Sequence, residues 1–344
     1  MSSPPRPVGG GAIRTWATVD TEYSACSVET HGSGLVATGT YQVNKLDEGE
    51  AERESEGDGA KTQRLGRLLL HRVVKDDDGG LRVEEVARRE CPAILDMAWS
   101  PSGELQLGVC DASGSVTLYQ AGEAGLEQDA DCEVSSGLVL AVDWGEQGLV
   151  ASDSRGEVHV LRRGEGGLVL ERSLEGHQYE AWTVCWDRHQ SNLLFSGGDD
   201  CAMVVHDLRE GMPVRRNKGS HSMGVTTLLS SATKEHCLWS GSYDERLRTW
   251  DLRNLKSEVS AVSVGGGVWR IRQRGERLLV AAMHDGFKVV EGGEVVAEYR
   301  EHESLAYGAD WLEGQEVEVE GRESISIATC SFYDHMLKVW SVAL

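Results

Sequence analysis

The sequence predicts an all-β chain folded as a seven-bladed β-propeller, its ring closed by the N-terminal strand. Three observations carry that prediction. Strand-like segments ending in a bulky residue recur at a near-constant interval, and a second set of strand-like segments keeps the same beat. The 41 Gly against 6 Pro in 344 residues fit many short strands joined by turns.

The first set is LGRLLLH ending at His71, SGSVTLY at Tyr119, RGEVHVL at Leu161, DCAMVVH at His206, DERLRTW at Trp250, HDGFKVV at Val290 and DHMLKVW at Trp340. Their spacings are 48, 42, 45, 44, 40 and 50 residues. Seven copies at about 45 residues match the WD-repeat period, in which each repeat supplies a four-stranded blade. The second set precedes these strands: AILDMAW (93–99), LVLAVDW (138–144), EAWTVCW (180–186), MGVTTLL (223–229), GVWRIRQ (267–273) and LAYGADW (305–311). They read as the innermost strands lining the central channel. TWATVDT (15–21) has no blade of its own and is expected to complete the last one, which leaves no long free sheet edge. One propeller domain thus spans residues 1–344. Two acidic segments interrupt it: 46–59 in the first blade, expected to be disordered, and 314–322, a shorter insertion in the last.

The formal net charge of −22 argues against nucleic acid, whose phosphates need a basic face, and favours a basic protein partner or a cationic ligand. Eight Cys without a CxxC pair read as buried, reduced thiols of a cytosolic protein. The opening MSSPPRPVGGG lacks the apolar core of a signal peptide, and no run approaches the roughly 18 apolar residues of a membrane span. A cytoplasmic monomer is expected.

Function is sought where side chains replace ordinary turn residues. In SGSYDERLRTWDLRN (240–254), Tyr243, Asp244 and Glu245 crowd a turn that usually takes Gly or Asn. Across blades two to seven the central turn position holds Ser113, Arg155, Asp200, Asp244, His284 and Asp334. His177 lies 23 residues before Asp200, and His221 lies 23 before Asp244. WD propellers use such His–Asp pairs to tie the innermost strand to the turn, so these two histidines and three aspartates read as structural. His284 stands where Asp is usual.

Asp199, Tyr243 and Tyr333 come just before that position, and Glu245, Asp285 and His335 just after it. One aligned column at the start of the innermost strands reads Leu95, Leu140, Trp182, Val225, Trp269 and Tyr307. Any one of these aromatics could pack between blades. Together, Trp182, Trp269, Tyr307, Tyr243 and Tyr333 suggest a shared pocket, and with Glu180, Asp199, Glu245 and Asp285 it suits a methylated cation. Quaternary ammonium groups bind aromatic faces at roughly 0.5–2 kcal/mol per good contact. No GxSxG, HExxH, zinc-spaced Cys/His cluster, GxGxxG or P-loop is present, so neither a metal nor another cofactor is expected. His284, His335 and Glu180 near one rim suffice for general-base activation of water.

GTYQ (39–42), RLGRLLL (64–70), AILDMAW (93–99), DASGSV (111–116), HQYEAW (177–182), SGGDD (196–200), HSMGV (221–225), GSYDE (241–245), GGVWRI (266–271), MHDGF (283–287), YGADW (307–311) and CSFYDH (330–335) together resemble the WD-repeat diphthine methyl esterase family, known in older naming as diphthine methyltransferase. Twelve weak motifs in order make a specific match, and the resemblance extends from Val19 to Trp340. The resemblance implies hydrolysis of the methyl ester of methylated diphthine on translation elongation factor 2, a step of diphthamide biosynthesis. That substrate bears a trimethylammonium group, which the aromatic and acidic residues suit independently.

On this reading Trp182, Trp269, Tyr307, Tyr243 and Tyr333 hold the cation, with Glu245 and Asp199 beside them. His284 or His335 activates water, and Arg270 or a tyrosine hydroxyl stabilises the oxyanion. Cys201 and Cys330 are poorer nucleophiles, because both sit in strand contexts that suggest burial. Two other readings stand beside the esterase: a non-enzymatic WD scaffold and a reader of methylated lysine. A methyltransferase is disfavoured, since no glycine-rich strand–loop–helix unit for an adenosyl donor is present.

Overall fold

In the computed structural model, described over residues 11–44, 63–122 and 125–344, seven four-stranded antiparallel sheets form a ring. The segment 46–59 lies outside the described residues. Blade one comprises β2 (Ser24–His31), β3 (Leu35–Asn44), β4 (Gln63–Lys75) and β5 (Leu81–Pro92). The innermost strands of blades two to seven are β6 (Ile94–Trp99), β10 (Val139–Gly145), β14 (Thr183–Trp186), β18 (Val225–Ser230), β22 (Arg270–Arg274) and β26 (Ala306–Val319). Blade seven continues through β27 (Arg322–Ser331) and β28 (Met336–Ala343). Its fourth strand is β1 (Ala12–Asp20), paired antiparallel to β28 from Ala12↔Ala343 to Asp20↔Met336. The predicted closure is therefore present.

Blades stack face to face through apolar side chains that alternate along each strand. Between blades six and seven, Phe287, Tyr299, Trp311 and Trp340 are all buried, and the Tyr299 and Trp340 rings stack at 4.3 Å. Contact is tight enough to require glycine at Gly241, where a Cβ would fall 2.2 Å from Val268 of the next blade.

The expected His–Asp ties are made in part. His177 Nδ1 bonds Asp200 at 2.8 Å, and its Nε2 bonds Ser196, which also holds His206. His221 does not bond Asp244, contrary to expectation. Its Nε2 bonds Ser240 at 2.8 Å, and Asp244 is taken by both Nη atoms of Arg248 at 2.7 and 2.9 Å. An arginine at the neighbouring strand outcompetes a neutral imidazole for the carboxylate. In blade seven the sequence reading overlooked His302. It bonds Ser331 and Thr329, Thr329 receives the Trp340 indole N–H, and Asp334 lies 4.0 Å away.

The 314–322 insertion is ordered. It extends β26 and β27 as a hairpin with Val317↔Ser324 and Val319↔Arg322 paired, turning at Glu320 and Gly321, both at positive φ. Val317 and Val319 are buried, so the alternating E-V-E-V pattern marks a strand with one covered face.

Candidate active site at the channel mouth

Five innermost strands begin with a register shift, at Ala25/Ser27, Ile94/Asp96, Val139/Ala141, Val225/Thr227 and Ala306/Gly308. The extra residues of these bulges are Cys26, Leu95, Leu140, Thr226 and Tyr307, and all five line one cavity of about 340 Å³ at the channel mouth. A bulge turns one side chain out of the pleat, and here each turns it toward the axis. Blade five thus contributes Thr226; Val225, placed in this column by sequence alignment, is wholly buried between blades. In blades four and six the cavity residues are Trp182 and Trp269, each immediately preceding its innermost strand.

The aromatic wall is continuous. Trp269 stacks on Tyr307 at 4.7 Å and lies 5.9 Å from Trp182 and 6.1 Å from Tyr243. Tyr307 contacts Phe332 at 5.3 Å, which reaches Tyr41 at 6.3 Å. Phe332 and Tyr41 line the cavity but, present only within the motifs CSFYDH and GTYQ, had no place among the expected site residues. Tyr333, which did, is 71% exposed and stands edge-on behind Phe332 at 4.9 Å.

Glu180 is the carboxylate at the wall, and Asp96 and Arg270 form the floor. Arg270 Nη2 and Nη1 reach Asp96 at 2.6 and 3.2 Å; Asp96 also accepts from Ser27 Oγ and the Val142 amide, both at 3.3 Å. Among the described residues the Arg270 Nε–H has no protein partner, which leaves that donor of the expected oxyanion residue uncommitted. Asp199 is exposed and accepts the Trp182 indole N–H at 3.1 Å, which fixes the ring.

Burial raises the Tyr243 phenol, helped by Tyr307, Asp199 and Glu180, and pushes that of Tyr307 up to about 12. Both are neutral O–H donors at physiological pH. Burial likewise drives Cys26 well up and Cys330 up to about 12, so neither offers a thiolate. All eight cysteines are free, but only Cys26, Cys110, Cys185 and Cys330 are buried; the others are half-buried.

The remaining predicted residues stand apart from the cavity lining. His284 is exposed in the blade-six turn. Asp285 beside it is paired with Lys288 at 2.8 Å and Arg300 at 2.9 Å. Glu245 and His335 occupy a conformational position: φ is 66° and 58°, where the matching turns of blades two and three have Gly114 and Gly156 at 91° and 87°. Their backbone conformation is what the turn demands. In the crowded turn of blade five, Tyr243 faces the cavity, Asp244 anchors Arg248, and Glu245 sits where glycine is preferred.

Fold and site together define a WD-repeat propeller with an aromatic, acid-flanked cavity at one channel mouth. The description "WD domain, G-beta repeat" matches residues 168–207. The chain is 37% identical over 346 residues to a Mus musculus protein named diphthine methyltransferase, covering 88% of this chain and 70% of that protein. The Homo sapiens protein of that name is 35% identical, covering 86% and 74%, and that of Schizosaccharomyces pombe is 31% identical, covering 80% and 86%. The chain belongs to the diphthine methyltransferase family. A chain from "Crystal Structure of Mitotic Checkpoint Complex" superposes with a TM-score of 0.71 over 100% of this chain and 97% of its own; at 15% identity it shows the fold alone.

Proposed function

We propose that this protein acts in diphthamide biosynthesis by hydrolysing the methyl ester of methylated diphthine on elongation factor 2. Family membership supports the pathway, and the aromatic cavity carries the reading of the substrate. Trp182, Tyr243, Trp269 and Tyr307 line one space with Glu180 at its wall, the combination of aromatic rings and a carboxylate that suits a trimethylammonium group.

In the proposed chemistry Glu180 accepts a proton from water as the oxygen attacks the ester carbonyl. The tetrahedral oxyanion lies against the Arg270 Nε–H or the phenol of Tyr243 or Tyr307, all held neutral or cationic without reorganisation. Collapse breaks the bond to the methoxy oxygen, which takes the proton from Glu180 and leaves as methanol. His284 and His335 are the alternative bases, reaching in from the rim only if the bound substrate extends outward.

The test is incubation of purified protein with elongation factor 2 carrying methylated diphthine, without added cofactor, followed by intact mass of the modified peptide. Loss of the mass of one CH₂ with release of methanol is expected. Glu180→Gln should then abolish turnover, whereas His284→Ala and His335→Ala should retain it. Tight binding without mass loss would instead make the cavity a reader of methylated cations.

A further inference from the structure

In an antiparallel meander, the loop entering the first strand and the turn between the second and third lie at the same end. The rim of the aromatic cavity is therefore built from both kinds of loop. In blades four, five and seven these loops expose Tyr179 (61%), Met223 (51%) and Tyr333 (71%). The same loops carry Asp199, Glu245 and Glu303, all exposed. None of these three makes an ion pair among the described residues, although the adjacent Asp200 and Asp244 are each paired. Lys218 follows the fourth strand of blade four and Arg246 opens the third strand of blade five; neither makes an ion pair among the described residues.

Uncompensated carboxylates around an apolar rim repel one another in the free protein and attract a cationic surface. We propose that this rim docks a basic, extended segment of the protein substrate. Lysine or arginine side chains of that segment meet Asp199, Glu245 and Glu303, apolar ones rest on Tyr179, Met223 and Tyr333, and the quaternary ammonium side chain enters the cavity between them. The inference rests on the function proposed above and adds the chemistry of the sequence flanking the modified residue.

The experiment has two arms. Initial rates on elongation factor 2 carrying methylated diphthine are measured across a salt series for the wild type and for the double variant Glu245→Gln/Glu303→Gln, neither residue of which lines the cavity. The wild type should lose kcat/KM as salt rises. The variant should start about tenfold lower at low salt and show a shallower slope. Tyr179→Ser should lower kcat/KM by a similar factor at every salt concentration.

The second arm follows quenching of tryptophan fluorescence by tetramethylammonium, which reports Trp182 and Trp269 in the cavity. Quenching should be the same in the double variant as in the wild type. Equal kcat/KM and equal salt slope in wild type and variant would overturn the docking rim while leaving the cavity standing. Absence of quenching and of mass loss in the wild type would overturn the functional reading and this proposal with it.

Discussion

Arg270 and Asp96, on the innermost strands of blades six and two, meet across the axis of the ring through two hydrogen bonds of 2.6 and 3.2 Å. The pair bridges blades that are not neighbours, and both residues also line a second cavity of about 370 Å³ at the opposite mouth. It is the partition between the two ends of the channel.

Removing one partner strands a buried charge. Asp96→Ala should cost about 3–5 kcal/mol in urea denaturation, the range found when a buried pair is broken from one side. Asp96→Leu combined with Arg270→Met should recover most of that loss, because two apolar side chains leave no charge unpaired.

Trp269 is the hub of the aromatic wall, touching Trp182, Tyr243 and Tyr307. Trp269→Ala should weaken tetramethylammonium binding by calorimetry about tenfold, consistent with losing a contact of up to about 2 kcal/mol. Trp269→Phe should retain most of the affinity. Unchanged binding in the alanine variant would place the cation elsewhere.

Cys201, Glu245 and His335 hold φ of 59°, 66° and 58° at the turn position where two other blades have glycine. Replacing each with glycine should raise stability by about 0.5–1 kcal/mol, since the left-handed conformation strains any residue bearing a Cβ. His335→Gly is doubly informative: a higher Tm with turnover retained assigns the residue to no chemical role.

Acid should unfold the protein through its buried histidines. Burial holds His206 and His302 down to about 3 and His221 down to about 4. Their unfolded value is about 6.5, so below that pH the unfolded chain takes up protons that the folded chain refuses. Stability is thus full above about pH 6.5 and falls as the pH drops toward 4. At Asp200 burial works in the opposite direction, but the bond to His177 prevails and holds the carboxyl down to about 2. Its contribution is lost only below about pH 4. Urea midpoints at pH 7, 6 and 5 should decline in the wild type and decline less in His221→Gln. The difference between the two curves cancels the general relief of the −22 net charge.

The ring, its blade count and its closure were legible because a repeat of fixed period leaves a pattern that one sequence can show against itself. Trp182, Trp269, Tyr307 and Tyr243 were legible for the same reason: each departs from the pattern at a countable position. His302 was hidden by the hairpin at 314–322, which stretches its distance to Asp334 to 32 residues where the other blades have 23. Val225 was aligned in place of Thr226 because a bulge adds a residue without any compositional sign. Asp96 and Arg270 meet only through the closed ring, 174 residues apart, and no local rule pairs them. Glu245 and His335 drew attention as functional side chains, whereas their distinguishing property is a backbone angle.

The pairing of β1 with β28 also fixes a sequence of events. Residues 12–20 leave the ribosome more than 300 residues ahead of their partners at 336–343. At roughly 5–20 residues per second, the first strand waits on the order of tens of seconds for the segment it must join. Until then the nascent chain carries one unsatisfied strand while the blades form beside it. Until β28 emerges the last blade is incomplete, so pairing of β1 with β28 is the step that closes the ring.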